Sequence, residues 1–320
     1  MNECREQIIN RGWEFWPGMY HSSFRTAPDK TVQKVNLPHD YMIESQVKVD
    51  APAGPAMGYY DGTVGSYVKM LEIPAEWSGE RVLLHFDGIM MNSTIEINGN
   101  KIASHHYGYT PFWVDITPYM VFGESNRLTV VINPSMQPNS RWYTGAGIYR
   151  DVTLVHVPKL HVAPDGVFVW TKRIDWNGGN AETAFLQAEV TVENHCEKNH
   201  IALVQVTAVP VCGNGEWEAE IPAAPKGWLE KTVIRSAKIQ IEAGKQATAR
   251  IPVTVSNPRL WCEETPDRYR LEVQVTDLGE FANRLIESAG EPMEDQTQVM
   301  FGIRTVTADS SNGLLETAGV

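Results

Sequence analysis

The stretch Thr94-Ile95-Glu96-Ile97-Asn98-Gly99-Asn100-Lys101-Ile102-Ala103-Ser104 decides the fold class. Ile95 and Ile97 alternate with Thr94 and Glu96, the period of a strand with one buried face. The run stops at Asn98-Gly99, a pair that supplies the positive φ values of a type I′ turn, so Lys101 to Ser104 is expected to return antiparallel. Outward from this hairpin the same period repeats. Val82, Leu84 and Phe86 alternate with Leu83 and His85; Leu128, Val130 and Ile132 form a set ended by Asn133-Pro134; Val152 and Leu154 alternate with Thr153 and Val155 before Pro158. Short strands punctuated by Gly, Pro and Asn, with no helix-period segment of useful length, indicate an all-β sandwich.

A boundary is expected near Pro158 to Pro164, after which the pattern restarts. Val167 to Trp170, Leu186 to Val192, Ile201 to Val209, Ile239 to Ile241, Ala249 to Val255, Leu271 to Val275 and Val299 to Ile303 read as the strands of an immunoglobulin-like sandwich. The lack of a Cys-Trp-Cys arrangement separates it from antibody-type domains. Asn177 to Glu182, Gly213 to Lys231 and Glu287 to Gln296 read as surface loops. The tail, Ala308 to Val320, is small and polar and is expected to form neither a strand set nor a helix.

The chain has 320 residues and a formal charge of −12, which suits two or three domains at roughly 100–200 residues each. Such an acidic balance argues against a nucleic-acid partner, which needs clustered Lys and Arg to release counterions. No apolar run is long enough to suggest a membrane span. Cys4, Cys196, Cys212 and Cys262 lie outside metal-ligand spacing of one another, so idle or buried thiols are expected. The start, Met1 to Glu6, lacks the charged-then-apolar profile of a secretory signal, and with the thiols this suggests a bacterial cytoplasm unless a leader was removed.

Residues able to carry chemistry are sparse. There is no G-x-S-x-G elbow, H-E-x-x-H pair, P-loop or G-x-G-x-x-G turn. His105-His106 could ligate a metal, but strand neighbours point to opposite faces, so surface roles are expected and no metal site is assigned. The informative segment is Asn139-Ser140-Arg141-Trp142-Tyr143-Thr144-Gly145-Ala146-Gly147-Ile148-Tyr149-Arg150-Asp151. Aromatic faces stack on the apolar faces of sugar rings, while Arg and carboxylates take hydroxyls, so this loop suits carbohydrate. A structural reading competes with it: a core Trp and an Arg–Asp salt bridge within the loop.

Arg141 to Val152 resembles the W-x-x-G-I-Y-R-D-V signature that closes the N-terminal sugar-binding domain of glycoside hydrolase family 2. Other pieces agree in order: Gly12-Trp13-Glu14-Phe15, Leu37-Pro38-His39-Asp40-Tyr41, Phe86-Asp87-Gly88, Asn92-Ser93-Thr94 with Asn98-Gly99, Gly108-Tyr109-Thr110-Pro111-Phe112 and Asp115-Ile116-Thr117. Further on, Leu260-Trp261 with Pro266 and Tyr269 resembles the L-W-x-x-x-x-P-x-x-Y element of the family's Ig-like domain, and Phe301-Gly302-Ile303-Arg304 its exit into the catalytic barrel. One departure is Gly65-Ser66-Tyr67-Val68-Lys69, where the family usually has G-W-Y-R-K.

The resemblance implies a jelly-roll (galactose-binding-like) sugar-binding domain over 1–158, an Ig-like β-sandwich over 159–305, and a truncated lead-in to a (β/α)8 barrel over 306–320. It implies a retaining enzyme of the β-galactosidase, β-glucuronidase or β-mannosidase group. The aspartate after G-I-Y-R is similar to the one that β-galactosidases use to reach the galactosyl ring, a role carried to Asp151. Arg141 and Trp142 are the other substrate-binding candidates. The family's acid/base glutamate follows an asparagine on a barrel strand, and the only Asn-Glu pair here is Asn2-Glu3, so this chain is expected to hold no catalytic residue and to be inert alone. The expected partners are a β-galactoside or related carbohydrate, the downstream barrel and a second copy of the chain. No cofactor is expected in this chain, any monovalent or magnesium ion belonging to the full-length enzyme. An exposed apolar patch is expected around Trp142 to Ile148 and near Phe301.

Overall fold

A computed structural model describes residues 5–19, 32–136, 140–211, 233–279, 294–309 and 313–317. Backbone proximity divides the chain into two units, Met1–Val157 and Pro158–Val320. Among the described residues there is no α-helix, only short 3₁₀ turns, and none is long and apolar enough to cross a membrane.

The first unit is built from two larger antiparallel sheets and a two-stranded pair, Ile89–Met90 with Gly147–Ile148. One has four strands in the order Glu6–Ile8, Val152–Val157, Arg81–Phe86, Phe112–Asp115. The other has six, in the order Gln33–Val35, Trp13–Pro17, Gly65–Glu72, Ser125–Ile132, Ser93–Ile97, Asn100–His105. The apolar alternation seen in the sequence is the inward face of each: Val82, Leu84 and Phe86 from one sheet and Ile95, Ile97, Leu128, Val130 and Ile132 from the other are fully buried in one core with Trp13 and Tyr67. Asn98 (φ 51°) and Gly99 (φ 84°) form the hairpin turn between Ser93–Ile97 and Asn100–His105. Both central residues sit at positive φ, which matches the turn to the right-handed twist of the strands.

The second unit is an Ig-like sandwich. Leu160–Asn177, Asn180–Asn194 and Gln246–Ser256 form one sheet; Val233–Ile241, His200–Val211, Arg268–Asp277 and Glu294–Phe301 form the other. Alternate residues from the paired strands, Leu186, Ala188 and Val190 against Val204, Val206 and Val273, make an apolar core. Three sequence readings need correction. Asn177 to Glu182 is no long loop but a tight hairpin turning on Gly178 and Gly179, both at positive φ, between Leu160–Asn177 and Asn180–Asn194. The first strand runs through Pro164 because a bulge between Val162 and Val167 absorbs it, and a side chain at Gly166 would sit 2.7 Å from the Ala163 carbonyl oxygen. The tail is also a strand pair, Thr305–Asp309 with Gly313–Thr317, where no strand was expected. The Gly213 to Lys231 stretch lies outside the described residues.

The L-W-x-x-x-x-P-x-x-Y element is a local staple. Trp261 bridges to Pro266 and donates its backbone N–H to Ile303 O at 3.0 Å, while the Tyr269 hydroxyl accepts from Arg259 N at 2.9 Å. Gly302 is required here: a Cβ would lie 2.8 Å from the Trp261 side chain. The Arg304 guanidinium then stacks over the Trp261 ring at 4.5 Å.

Candidate sugar-binding site

The loop singled out in the sequence is held by one carboxylate. Asp40 Oδ1 accepts the backbone N–H groups of Ala146 at 2.9 Å and Met42 at 3.0 Å, and its Oδ2 accepts the Tyr143 hydroxyl at 2.7 Å. The backbone completes the clasp: Tyr41 N donates to Ala146 O at 3.0 Å, and His39 N to Ile148 O at 2.9 Å. The two segments approach so closely that a Cβ at Gly147 (φ 152°) would stand 2.1 Å from the His39 carbonyl oxygen, and one at Gly145 would meet Asp40 Oδ2 at 2.6 Å. The glycines of Thr144-Gly145-Ala146-Gly147 are therefore what lets His39-Asp40-Tyr41 lie against them. Burial, reinforced by the hydrogen bond to Asp40, pushes the Tyr143 phenol far above its ordinary range, so it stays a donor.

Gly145, Ala146, Gly147 and Ile148 are buried by this arrangement, whereas the Trp142 ring is 62% exposed. Trp142 Nε1 donates to the Tyr109 hydroxyl at 3.2 Å, and the Tyr109 and Tyr107 rings lie 5.5 Å apart, so three exposed aromatic rings share one surface. The platform is braced from behind: Tyr149 donates its hydroxyl to Gly108 O at 2.7 Å, and a Cβ at Gly88 would collide with the Tyr149 ring. The Arg150 guanidinium lies 5.1 Å from the same ring.

Asp151 is fixed separately. Asn10 Nδ2 donates to its Oδ1 at 2.8 Å, and Asn10 Oδ1 in turn accepts Val152 N at 3.0 Å, so the side chain is oriented by the segment that follows the strand Glu6–Ile8. Arg150 points instead to the Asp87 carbonyl oxygen at 3.4 Å and to the Tyr149 ring, and among the described residues no ion pair joins Asp151 to Arg141 or Arg150. Both halves of the structural reading thus fail: Trp142 is not a core residue, and the loop holds no Arg–Asp salt bridge. Arg141 is exposed beside Trp142. The structure places Trp142 with Tyr109 and Asp151 with Asn10, and no hydrogen bond or ring contact links these two groups.

The expected apolar patch is narrower than the sequence suggested, since Ala146 and Ile148 are inside and Phe301 packs on the Ig-like core. His105 and His106 diverge: His105 stacks on Phe112 at 4.1 Å and approaches Thr110, while His106 approaches Asn92 Oδ1 at 3.2 Å. Cys196 and Cys262 are free thiols, and burial raises the Cys196 pKa; Cys4 and Cys212 lie outside the described residues. Sequence reasoning missed Tyr107, Tyr109 and Asn10. For the tyrosines a signal existed in Tyr107-Gly108-Tyr109, two aromatic residues flanking a glycine between strand runs.

This surface lies within a stretch, residues 28–158, that matches the family model for glycosyl hydrolases family 2, sugar binding domain; residues 182–304 match a second model of glycosyl hydrolases family 2. The chain belongs to glycosyl hydrolases family 2. Among its family 2 relatives, a β-galactosidase of Bacteroides ovatus is 32% identical over 306 residues, covering 95% of this chain and 32% of that protein. A putative β-glucuronidase of Formosa agariphila is 27% identical, covering 96% of this chain and 26% of that one. Among solved structures, a family 2 member from Bacteroides cellulosilyticus superposes with a TM-score of 0.78 at 27% identity over 98% of this chain and 37% of its own. A Bacteroides uniformis β-glucuronidase covalently bound to cyclophellitol-6-carboxylate aziridine gives 0.72 at 25% identity, over 97% and 34%. The chain spans about a third of the length of these relatives.

Proposed function

We propose that this chain is the non-catalytic β-sandwich portion of a retaining glycosidase acting on terminal β-galactosides. In this reading Trp142, Arg141 and Asp151 face the sugar, and the catalytic carboxylates reside in a separate (β/α)8 barrel. The observation that carries it is the exposure of Trp142 at the tip of a loop otherwise locked and buried by Asp40. An exposed indole on a rigid loop offers a flat apolar face for a pyranose at little further cost in ordering. Asp151, with Oδ1 held by Asn10, has Oδ2 to accept a hydroxyl. A carboxylate in that role suits a neutral galactosyl ring better than a glucuronate, which it would repel.

Retention needs two carboxylates roughly 5–5.5 Å apart across the scissile bond. Asn2-Glu3 is the only Asn-Glu pair in the sequence and lies outside the described residues, so the chain is expected not to turn over substrate by itself. The test is hydrolysis of nitrophenyl β-galactoside by the purified chain: none is expected, and robust turnover defeats the reading. A second reading, a β-glucuronidase portion, draws on relatives so named; an enzyme carrying this chain that prefers β-glucuronides would favour it. A free-standing binding module would instead show sub-millimolar affinity for galactose, lactose, mannose or glucuronic acid by calorimetry.

A further inference from the structure

The Ig-like unit brings the imidazole of His161 to a carboxylate and a second imidazole, Glu193 and His195, that lie far along the chain from it. His161 stands on Leu160–Asn177 directly opposite Glu193 on Asn180–Asn194. The pairing continues one step past the strand end, because His195 N donates to Lys159 O at 2.8 Å. Residues 193 and 195 therefore project from one face of the sheet, and 161, opposite 193, projects from the same face. Val162 and Val192, their strand neighbours, point the other way into the core.

The side-chain atoms converge. His195 Nε2 lies 2.8 Å from Glu193 Oε2, His161 Nε2 lies 3.7 Å from the same oxygen, and the two rings are parallel within 10° at 5.5 Å. One ligand atom from each of the three residues falls within 4.8 Å of the others. The His161 tautomer follows from its partner: Nδ1 lies 2.8 Å from the Pro158 carbonyl oxygen, which only accepts, so Nδ1 carries the proton. In its neutral form the ring presents the Nε2 lone pair to Glu193 and His195. A ring N–H anchored on a backbone carbonyl is the arrangement that orients metal-binding histidines.

We propose that His161, Glu193 and His195 bind a single divalent transition metal of the zinc class. Two imidazole nitrogens and one carboxylate oxygen are a borderline donor set, suited to Zn²⁺ and unsuited to Ca²⁺ or Mg²⁺, which take oxygen ligands. At metal–ligand distances of about 2.0–2.1 Å a tetrahedral site separates its ligand atoms by roughly 3.3 Å. The two separations from the Glu193 oxygen, 2.8 and 3.7 Å, reach that value by side-chain shifts of a few tenths of an ångström, and the two imidazole ligand atoms already lie within 4.8 Å of each other. The His161 side chain is 1% exposed and those of Glu193 and His195 about a third, so the site is walled on one side and open to a water ligand on the other. Binding would clip the first two strands of this unit together and so favour its folded state.

The test uses the whole 320-residue chain, stripped with a chelator and titrated calorimetrically with zinc chloride and then with magnesium chloride. One Zn²⁺ per chain with no Mg²⁺ binding is expected, together with a rise in the thermal midpoint on adding Zn²⁺. His195→Ala and Glu193→Gln change partly exposed residues and should each weaken Zn²⁺ at least tenfold; His106→Ala, remote in sequence and exposed, should not. Absence of stoichiometric Zn²⁺ binding overturns the proposal. So does binding that His195→Ala and Glu193→Gln both leave intact.

Discussion

Removing the Asp40 carboxylate is the sharpest perturbation of the loop that carries Trp142. In Asp40→Ala the N–H groups of Met42 and Ala146, both about 1% exposed residues, lose their acceptor, and the Tyr143 hydroxyl loses its own. An orphaned buried N–H costs about 1–2 kcal/mol, and the half-buried Tyr143, which water reaches more easily, about 1 kcal/mol. The sum is roughly 3–5 kcal/mol from the first unit. Asp40→Asn behaves differently because the two N–H groups share Oδ1 and only the phenol uses Oδ2. An amide retains the first acceptor and presents an NH₂ to Tyr143, whose hydroxyl rotates to accept, so the loss falls to about 1–1.5 kcal/mol. Tyr143→Phe should cost about 1 kcal/mol, and combined with Asp40→Ala should add almost nothing further.

Urea unfolding followed by circular dichroism and fluorescence measures these costs. The chain has two units, so two transitions are expected, and Val204→Ala, a fully buried change in the Ig-like core, marks the second by lowering it about 2 kcal/mol. The Asp40 variants should move the other transition only. An Asp40→Ala variant within 0.5 kcal/mol of Asp40→Asn would refute the reasoning.

Other perturbations follow from the same contacts. Gly147→Ala should prevent the first unit from folding, since its Cβ meets the His39 carbonyl, whereas Gly178→Ala, with nothing within 4 Å, should cost only the strain of its positive φ, about 1 kcal/mol; melting curves separate the two. Burial pushes the phenols of Tyr41, Tyr67 and Tyr143 above the ordinary value near 10. The folded state therefore holds these protons longer than the unfolded one, and their contribution is intact below about pH 10 and is lost as pH rises beyond it. Stability measured between pH 8 and 11.5 should fall steeply above 10, and Tyr143→Phe should flatten that fall; a curve unchanged by the substitution would contradict this.

Strand positions were legible because the core faces alternate without interruption: Val82-Leu84-Phe86 and Ile95-Ile97 needed only period two and an Asn-Gly turn. The Leu160–Asn177 strand was cut short in the sequence reading because Pro164 and Gly166 signal a break, and a bulge that tolerates both has no local signature. Gly178-Gly179 and Gly313 likewise read as loop, though each closes or starts a paired strand. At the site, Trp142 and Asp151 were visible as residue types. Their anchors, Asp40 and Asn10, lie over 100 residues away in the chain, and only the folded sheet brings them near.

The central claim is that the Arg141 to Asp151 loop is where this chain meets sugar. The most direct measurement is the ¹H–¹⁵N spectrum of the tryptophan indoles during titration with methyl β-galactoside, the Trp142 signal being assigned by Trp142→Phe. The account predicts that the Trp142 indole, hydrogen-bonded to Tyr109, shifts progressively at millimolar sugar while the buried Trp13 indole stays fixed. Sugar-dependent shifts confined to other tryptophans, or a Trp142 signal that does not move at saturating sugar, would contradict it.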